Sequence, residues 1–139
     1  MCDRYNNGDI ACKPSLRAFN SVLNVCAFNR NKETHDDSVR IALLTQERLL
    51  ENTDIYGQPD DVFFNRLIKV FSYCISNPKV SQRFVSTAFE RCAKEGYVSE
   101  SVLELLDKLA PQVYQKLQKS KGKVSIQTLP KDWSRNIPP

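Results

Sequence analysis

The chain has 139 residues, of which 41% are hydrophobic and 26% are charged, and its formal net charge is +4. This length suits one domain or a few repeats, and the apolar content excludes global disorder. Only four glycines are present, which argues against a glycine-rich nucleotide loop and a turn-dense β-sandwich, and no apolar run is long enough to span a bilayer. The charge favours anionic partners only mildly, because a solvated basic surface gives the same balance.

The cysteines and the single histidine do not form a recognisable metal-binding pattern. The cysteines are odd in number and none belongs to a C-x-x-C pair, so we expect reduced, structural thiols at Cys2, Cys12, Cys26, Cys74 and Cys92. His35 lies in a polar stretch without the paired spacing of zinc ligands. The sequence therefore predicts no metal site and no cofactor.

Residues 1–14 are mostly polar and contain neither an apolar signal core nor an acid-poor transit segment. We expect either an untargeted protein or a chain whose true N-terminus is missing. A first helix is predicted over about residues 15–28, because apolar side chains recur there at three- and four-residue steps: Leu16, Phe19, Val22, Leu23 and Cys26. Asn29–Thr34 is predicted as a loop.

A second helix is predicted from Asp37 to about Asn52, and the polar stretch up to Gln58, with Gly57, is expected to end it. Two further helices are predicted over about 61–75 and 78–96, with Pro78 in a first turn and Gly96 as a C-terminal stop.

A fifth helix is predicted to begin at Ser99 and to end or kink at Pro111, with a short continuation to about residue 120. The remaining residues, 121–139, form a basic, proline-containing tail. Its Trp133 is expected to pack on the last helix, which we favour over a role in ligand stacking.

Two segments of the chain repeat the same pattern. Each has a proline, a hydroxyl or acidic residue, an aromatic-Asn pair and an apolar pair, and the prolines, Pro14 and Pro59, lie 45 residues apart. Repetition at such a period is typical of helical-repeat arrays, which bind partners along a surface.

The repeated pattern, together with the helix-loop-helix order, resembles the pentatricopeptide repeat family. The likeness covers about residues 14–106, and Ala93-Lys94-Glu95-Gly96 is similar to the family's usual close of a repeat. It implies an all-α fold: a right-handed α-α superhelix of two units, 15–60 and 61–98, with capping helices over 99–120. Residues 1–14 would then be the end of a preceding repeat or an N-terminal extension. Both units are longer than the family's usual one.

The resemblance also implies residues that recognise RNA. The base-recognition pairs would be Asn20 with Asp60, a combination that the family associates with pyrimidines, and Asn65 with Glu100, which lies outside the common pairings. The residues that pack against the bases would be Arg17 and Val62. Weaker candidates for phosphate contacts are Arg66, Lys69 and Lys79.

Each candidate also has an ordinary structural interpretation. Asn20 and Asn65 are also compatible with local hydrogen bonds, as asparagine often makes near helix starts. Asp60 suits a helix N-cap, and Glu100 suits a first-turn acid that favours the helix dipole. Single lysines and arginines on a helix face are commonly just solvated.

The leading hypothesis is therefore sequence-selective binding of single-stranded RNA without catalysis, in the RNA metabolism of a mitochondrion or plastid as the family commonly serves. The alternative is a helical-repeat scaffold for other proteins. A positively charged inner groove favours RNA, and an apolar or neutral one favours a peptide. A processing enzyme is not supported, because the chain lacks a paired-carboxylate or Cys/His cluster for catalysis. We expect no membrane-spanning segment, and the sequence does not fix the oligomeric state.

Overall fold

A computed structural model describes residues 15–118 and 124–137. Within these residues the protein is entirely helical, as predicted, with no β-strand. The α-helices are α1 (Leu16–Ala27), α2 (His35–Glu51), α3 (Thr53–Tyr56), α4 (Asp61–Cys74), α5 (Pro78–Glu95), α6 (Glu100–Leu109) and α7 (Pro111–Leu117). Short 3-10 helices span Lys32–Thr34, Ile126–Thr128 and Lys131–Ser134. The predicted N-terminal extension and the lysine-rich stretch 119–123 lie outside the described residues.

Side-chain caps explain where several helices begin. Ser15 caps α1, Asp60 caps α4, Asn77 caps α5 and Ser99 caps α6, each by accepting a hydrogen bond from a backbone N–H in the first turn. Such a cap satisfies one of the amides that a helix start leaves without an internal partner. The predicted starts of these four helices therefore agree with the observed ones within about one residue.

Helix α3 was not predicted. It occupies the polar stretch in which we expected only the end of the preceding helix. It is a single turn, too short to show a periodic apolar pattern. Its Tyr56 is buried, and the ring packs edge-on against Phe19 of α1 with 5.1 Å between ring centroids. This turn therefore covers part of α1.

The core is organised around α4, which packs against α1, α2, α5 and α6. Half of its 14 residues are buried, including Phe63, Phe64, Leu67 and Phe71. Helix α2 also packs against α1, and α7 packs against α6 and α5. Because α4 is covered on most of its circumference, its apolar side chains carry much of the hydrophobic stabilisation.

The C-terminal segment packs back onto α5. The ring of Trp133 meets that of Phe89 edge-on, with 5.8 Å between centroids, and the Trp133 carbonyl accepts a hydrogen bond of 2.8 Å from the Val98 N–H. The side chains of Arg135 and Asn136 donate to carbonyls in the last turn of α5. These contacts satisfy carbonyl groups that the helix end would otherwise leave open.

Gly96 ends α5 in the left-handed conformation, with φ at +82°. A Cβ atom at this position would lie 2.6 Å from Cγ of Arg135. The close approach of the C-terminal segment and the positive φ both require glycine here.

Three cysteines lie in the described core: Cys26, Cys74 and Cys92 are buried free thiols. Burial raises the pKa of each thiol above its ordinary value, so all three are protonated at neutral pH and behave as small apolar side chains. Within the part of the chain that is described, no helix has both the length and the apolarity needed to cross a membrane.

The central position of α4 predicts a large cost for a cavity there. Leu67 is 0% exposed, whereas Leu44 on α2 is 59% exposed. We expect Leu67→Ala to lower the free energy of unfolding by about 2–5 kcal/mol, while the same substitution at Leu44 changes it by less than about 0.5 kcal/mol. Urea denaturation followed by circular dichroism measures both. Equal losses at the two positions would contradict the assignment of α4 as the core helix.

Candidate nucleic-acid interface

The first predicted pair meets at the junction between α1 and α4. The side-chain N–H of Asn20 donates to Oδ1 of Asp60 at 3.4 Å, and the same oxygen accepts the N–H of Phe63 at 2.8 Å. Asp60 is therefore the N-cap of α4 and at the same time the partner of Asn20. The two interpretations left open by the sequence are compatible at this residue.

Asn20 is only 7% exposed. Its amide must turn its NH₂ group toward Asp60, because two oxygens facing each other would repel. This orientation leaves Oδ1 of Asn20 buried without a hydrogen-bond partner among the described residues. The backbone carbonyl of Asn20 accepts a 2.7 Å hydrogen bond from the Arg66 guanidinium. The predicted phosphate residue Arg66 thus already bridges α4 to α1.

In the second predicted pair, Asn65 and Glu100 have different hydrogen-bond partners. The side-chain N–H of Asn65 donates to Oγ of Ser101 at 3.0 Å, and Oε1 of Glu100 instead accepts the backbone N–H of Ile126 at 3.0 Å. The N-cap of α6 is Ser99, so Glu100 is the first helical residue and Ser101 the second. Successive helical positions point about 100° apart, which directs Ser101 to α4 and Glu100 to the C-terminal segment.

Asn20 and Asn65 nevertheless perform the same structural task. Each lies on one helix and donates its side-chain amide to the start of the next helix in a row that runs from α1 through α4 to α6. The donors thus repeat with the 45-residue offset of the sequence, whereas the acceptors differ, because Asp60 is the N-cap of α4 and Ser101 is the second residue of α6. Sequence reasoning missed Ser101, and only its place one residue after Glu100 at a capped helix start could have suggested it.

The same offset relates other residues on the accessible side of α1 and α4. Arg17 corresponds to Val62, and both are exposed; Phe28 corresponds to Tyr73, and both are exposed. Lys69 lies on α4 between Val62 and Tyr73. Its ammonium is 5.9 Å from the centroid of the Phe28 ring, a distance at which cation and ring attract. We call the surface formed by these residues, Asn65 and the Ser101 side of α6 the inner face.

The inner face carries more positive than negative charge. Its charged residues on α1, on α4 and at their junction are Arg17, Arg66, Lys69 and the acid Asp60, and the stripe that starts at Ser101 on α6 adds Lys108 and the acid Glu104. Lys79 does not belong to this face, because it lies on α5 and lines a separate cleft. Of the three predicted phosphate residues, the structure therefore brings two to the inner face.

No cluster of three or more His, Cys, Asp or Glu side chains that could hold a metal ion occurs in residues 15–118 and 124–137. The ring Nε2 of His35 lies 2.7 Å from the carbonyl oxygen of Asn29. That contact ties the first residue of α2 to the loop before the helix.

No protein-family model, curated protein or solved structure matches this chain. The likeness to pentatricopeptide repeats consequently rests on the repeated sequence motif, and it remains a resemblance.

The double role of Asp60 predicts a specific pattern of stability. We expect Asp60→Ala to lower the free energy of unfolding by about 1 kcal/mol, because the Phe63 N–H loses its cap. Asp60→Asn should lower the free energy of unfolding much less. Asparagine caps helices about as well as aspartate, and its side-chain carbonyl can still accept the hydrogen bond from Asn20. Urea denaturation of both variants measures the difference, with Asp107→Ala, at an exposed position of α6, as a control. Equal losses for alanine and asparagine would contradict the capping role.

Proposed function

We propose that this chain binds single-stranded RNA along its inner face and adds no catalytic step of its own. The observation that carries the proposal is the equivalence of Asn20 and Asn65. They share one position in the repeated motif and make the same type of junction contact on two neighbouring helices. Asn65 is partly accessible and Asn20 holds the equivalent, enclosed position on the neighbouring helix, and such a repeated position suits a polymer with a regular backbone.

We infer that the helices form a short right-handed superhelical array. Helices α1, α4 and α6 would form the inner row, and α2, α5 and α7 would support them in the order of the chain. The packing of α4 against α1 and α6, and of each helix pair within itself, supports this arrangement. In such an array the inner row is the common binding surface.

The chemistry of the inner face suits nucleotides. An asparagine amide offers both a donor and an acceptor to the Watson–Crick edge of a base. Asn65 is half-buried and uses one N–H for Ser101, so its oxygen and second N–H are available to a base. Asn20 has a buried, unpaired oxygen, and it needs a side-chain rotation before it can contact one.

Other residues complete the proposed site. Val62 is exposed beside Asn65 and would pack against a base, and Arg17 would stack a guanidinium on the base of the first unit. Lys69 and Lys108 would neutralise phosphates. By resemblance to the family, the preferred bases are pyrimidines, uracil first, and the target is an organelle transcript in a mitochondrion or plastid.

We expect the full-length protein to bind a labelled oligouridylate more tightly than an oligoadenylate of equal length in fluorescence anisotropy. Asn65→Ala should reduce this preference, because the amide that distinguishes the bases is lost. It should leave the salt dependence unchanged, because no charge is removed. An unchanged base preference in Asn65→Ala would overturn the assignment of that residue.

The charge of the inner face gives an independent prediction. Lys69→Glu and Lys108→Glu should each weaken oligouridylate binding, and the slope of log K against log salt should fall by about 0.7 for each phosphate of the single strand that the variant no longer neutralises. Lys131→Glu, an exposed lysine in the C-terminal segment, is the matched control. A control variant that weakens binding as much as the other two would show nonspecific attraction to net charge.

A further inference from the structure

Helices α2, α5 and α7 form two adjoining clefts that the proposed RNA face does not use. The apolar cleft, of about 430 Å³, lies between α2 and α5 and has α4 beneath it. Its apolar lining consists of Leu43, Phe71, Val80, Phe84 and Ala88. The basic cleft, also about 430 Å³, lies between α5 and α7.

The two clefts are parts of one surface. Arg83 and Thr87, one turn apart on α5, line both of them. Leu43 and Val80, on opposite sides of the apolar cleft, are 39% and 37% exposed. The apolar cleft is therefore open to solvent, and its edge on α5, formed by Arg83 and Thr87, is polar.

The charged residues of the two clefts all carry positive charge. The charged residues that line the two clefts are Lys79, Arg83 and Lys116, and no acidic residue lines either of them. All three are exposed or partly exposed, and none is in a salt bridge with a carboxylate among the described residues. Lys79 and Arg83 are four residues apart on one helix, which places them on the same face. Glu90, the next acid along α5, lies two turns beyond Arg83.

We propose that this surface binds an acidic amphipathic helix of another protein. The apolar side chains of that helix would enter the apolar cleft between Leu43 and Val80. Acidic residues along one flank would contact Lys79, Arg83 and Lys116. From Lys79 to Ala88 the surface follows about 14 Å of helix α5, which matches two to three turns of a bound helix. Grooves of this kind are a recurrent way to bind amphipathic helices.

The apolar half of the surface favours a protein over a nucleic acid. The phosphates of a nucleic acid would contact the three basic side chains, but they would gain nothing from the apolar lining. The Phe84 ring already packs against Phe71, with 5.3 Å between centroids, so it does not offer a free platform for a base. The proposal is independent of RNA binding, which uses α1, α4 and α6.

A displayed library of short helical peptides, selected on the full-length protein, provides the test. We expect the selected peptides to share apolar residues at three- and four-residue spacing with acidic residues on one flank. Anisotropy of one labelled selected peptide then measures affinity. The double variant Arg83→Glu, Lys116→Glu should weaken its binding about tenfold or more, and Val80→Ser should also weaken it.

Lys94→Glu is the matched control, because Lys94 is exposed on the same helix but lines neither cleft. It should bind the peptide like the wild-type protein, and circular dichroism verifies that every variant is folded. The proposal is overturned if no peptide is selected, if the selected peptides lack acidic residues, or if the double variant binds as tightly as the control. Displacement of the peptide by oligouridylate from wild-type protein, but not from Lys69→Glu, would show that the peptide occupies the RNA face instead and would equally overturn it.

Discussion

The burial of α4 among four other helices is the constraint on which the rest of the structure depends. Its side chains Phe63, Phe64, Leu67 and Phe71 fill the space between the flanking helices. Once α4 is held in this way, its cap at Asp60 must lie beside α1 and its accessible stripe must continue that of α1. The junction contact from Asn20 to Asp60 is thus a result of core packing, and the inner face exists because α4 has no freedom to rotate away from it.

The two asparagines to which we assign a binding role also have a structural role. Asn20 is almost completely enclosed, and its donation to Asp60 ties two helices together. Asn65 makes the corresponding contact with Ser101 nearer to solvent, where part of its amide is available. The same motif position therefore mainly holds α1 and α4 together at Asn20, and it is more accessible to a ligand at Asn65. In this account the binding contribution of the two units is unequal.

The helices could be predicted from the sequence because their apolar stripes and capping residues are local features. Asn20 and Asp60, which the resemblance pairs, are in contact because the packing of α1 on α4 brings them together. Three other features depend on tertiary contacts and were not predictable. The turn Thr53–Tyr56 is held by the packing of Tyr56 on Phe19. The partner of Asn65 is decided by the rotation of α6, and Glu100 is engaged by the C-terminal segment, which is far away in sequence.

The chain thus presents a mildly basic inner face, with amides repeated along it, and a second surface with an apolar cleft beside three cations. The central claim is that the inner face binds single-stranded RNA. Amide chemical-shift mapping of the full-length ¹⁵N-labelled protein with oligouridylate tests it most directly. The account predicts that the largest shifts fall on Arg17, Val62, Asn65, Lys69 and Ser101. The absence of shifts at saturating RNA, or shifts confined to α5 and α7, would contradict it.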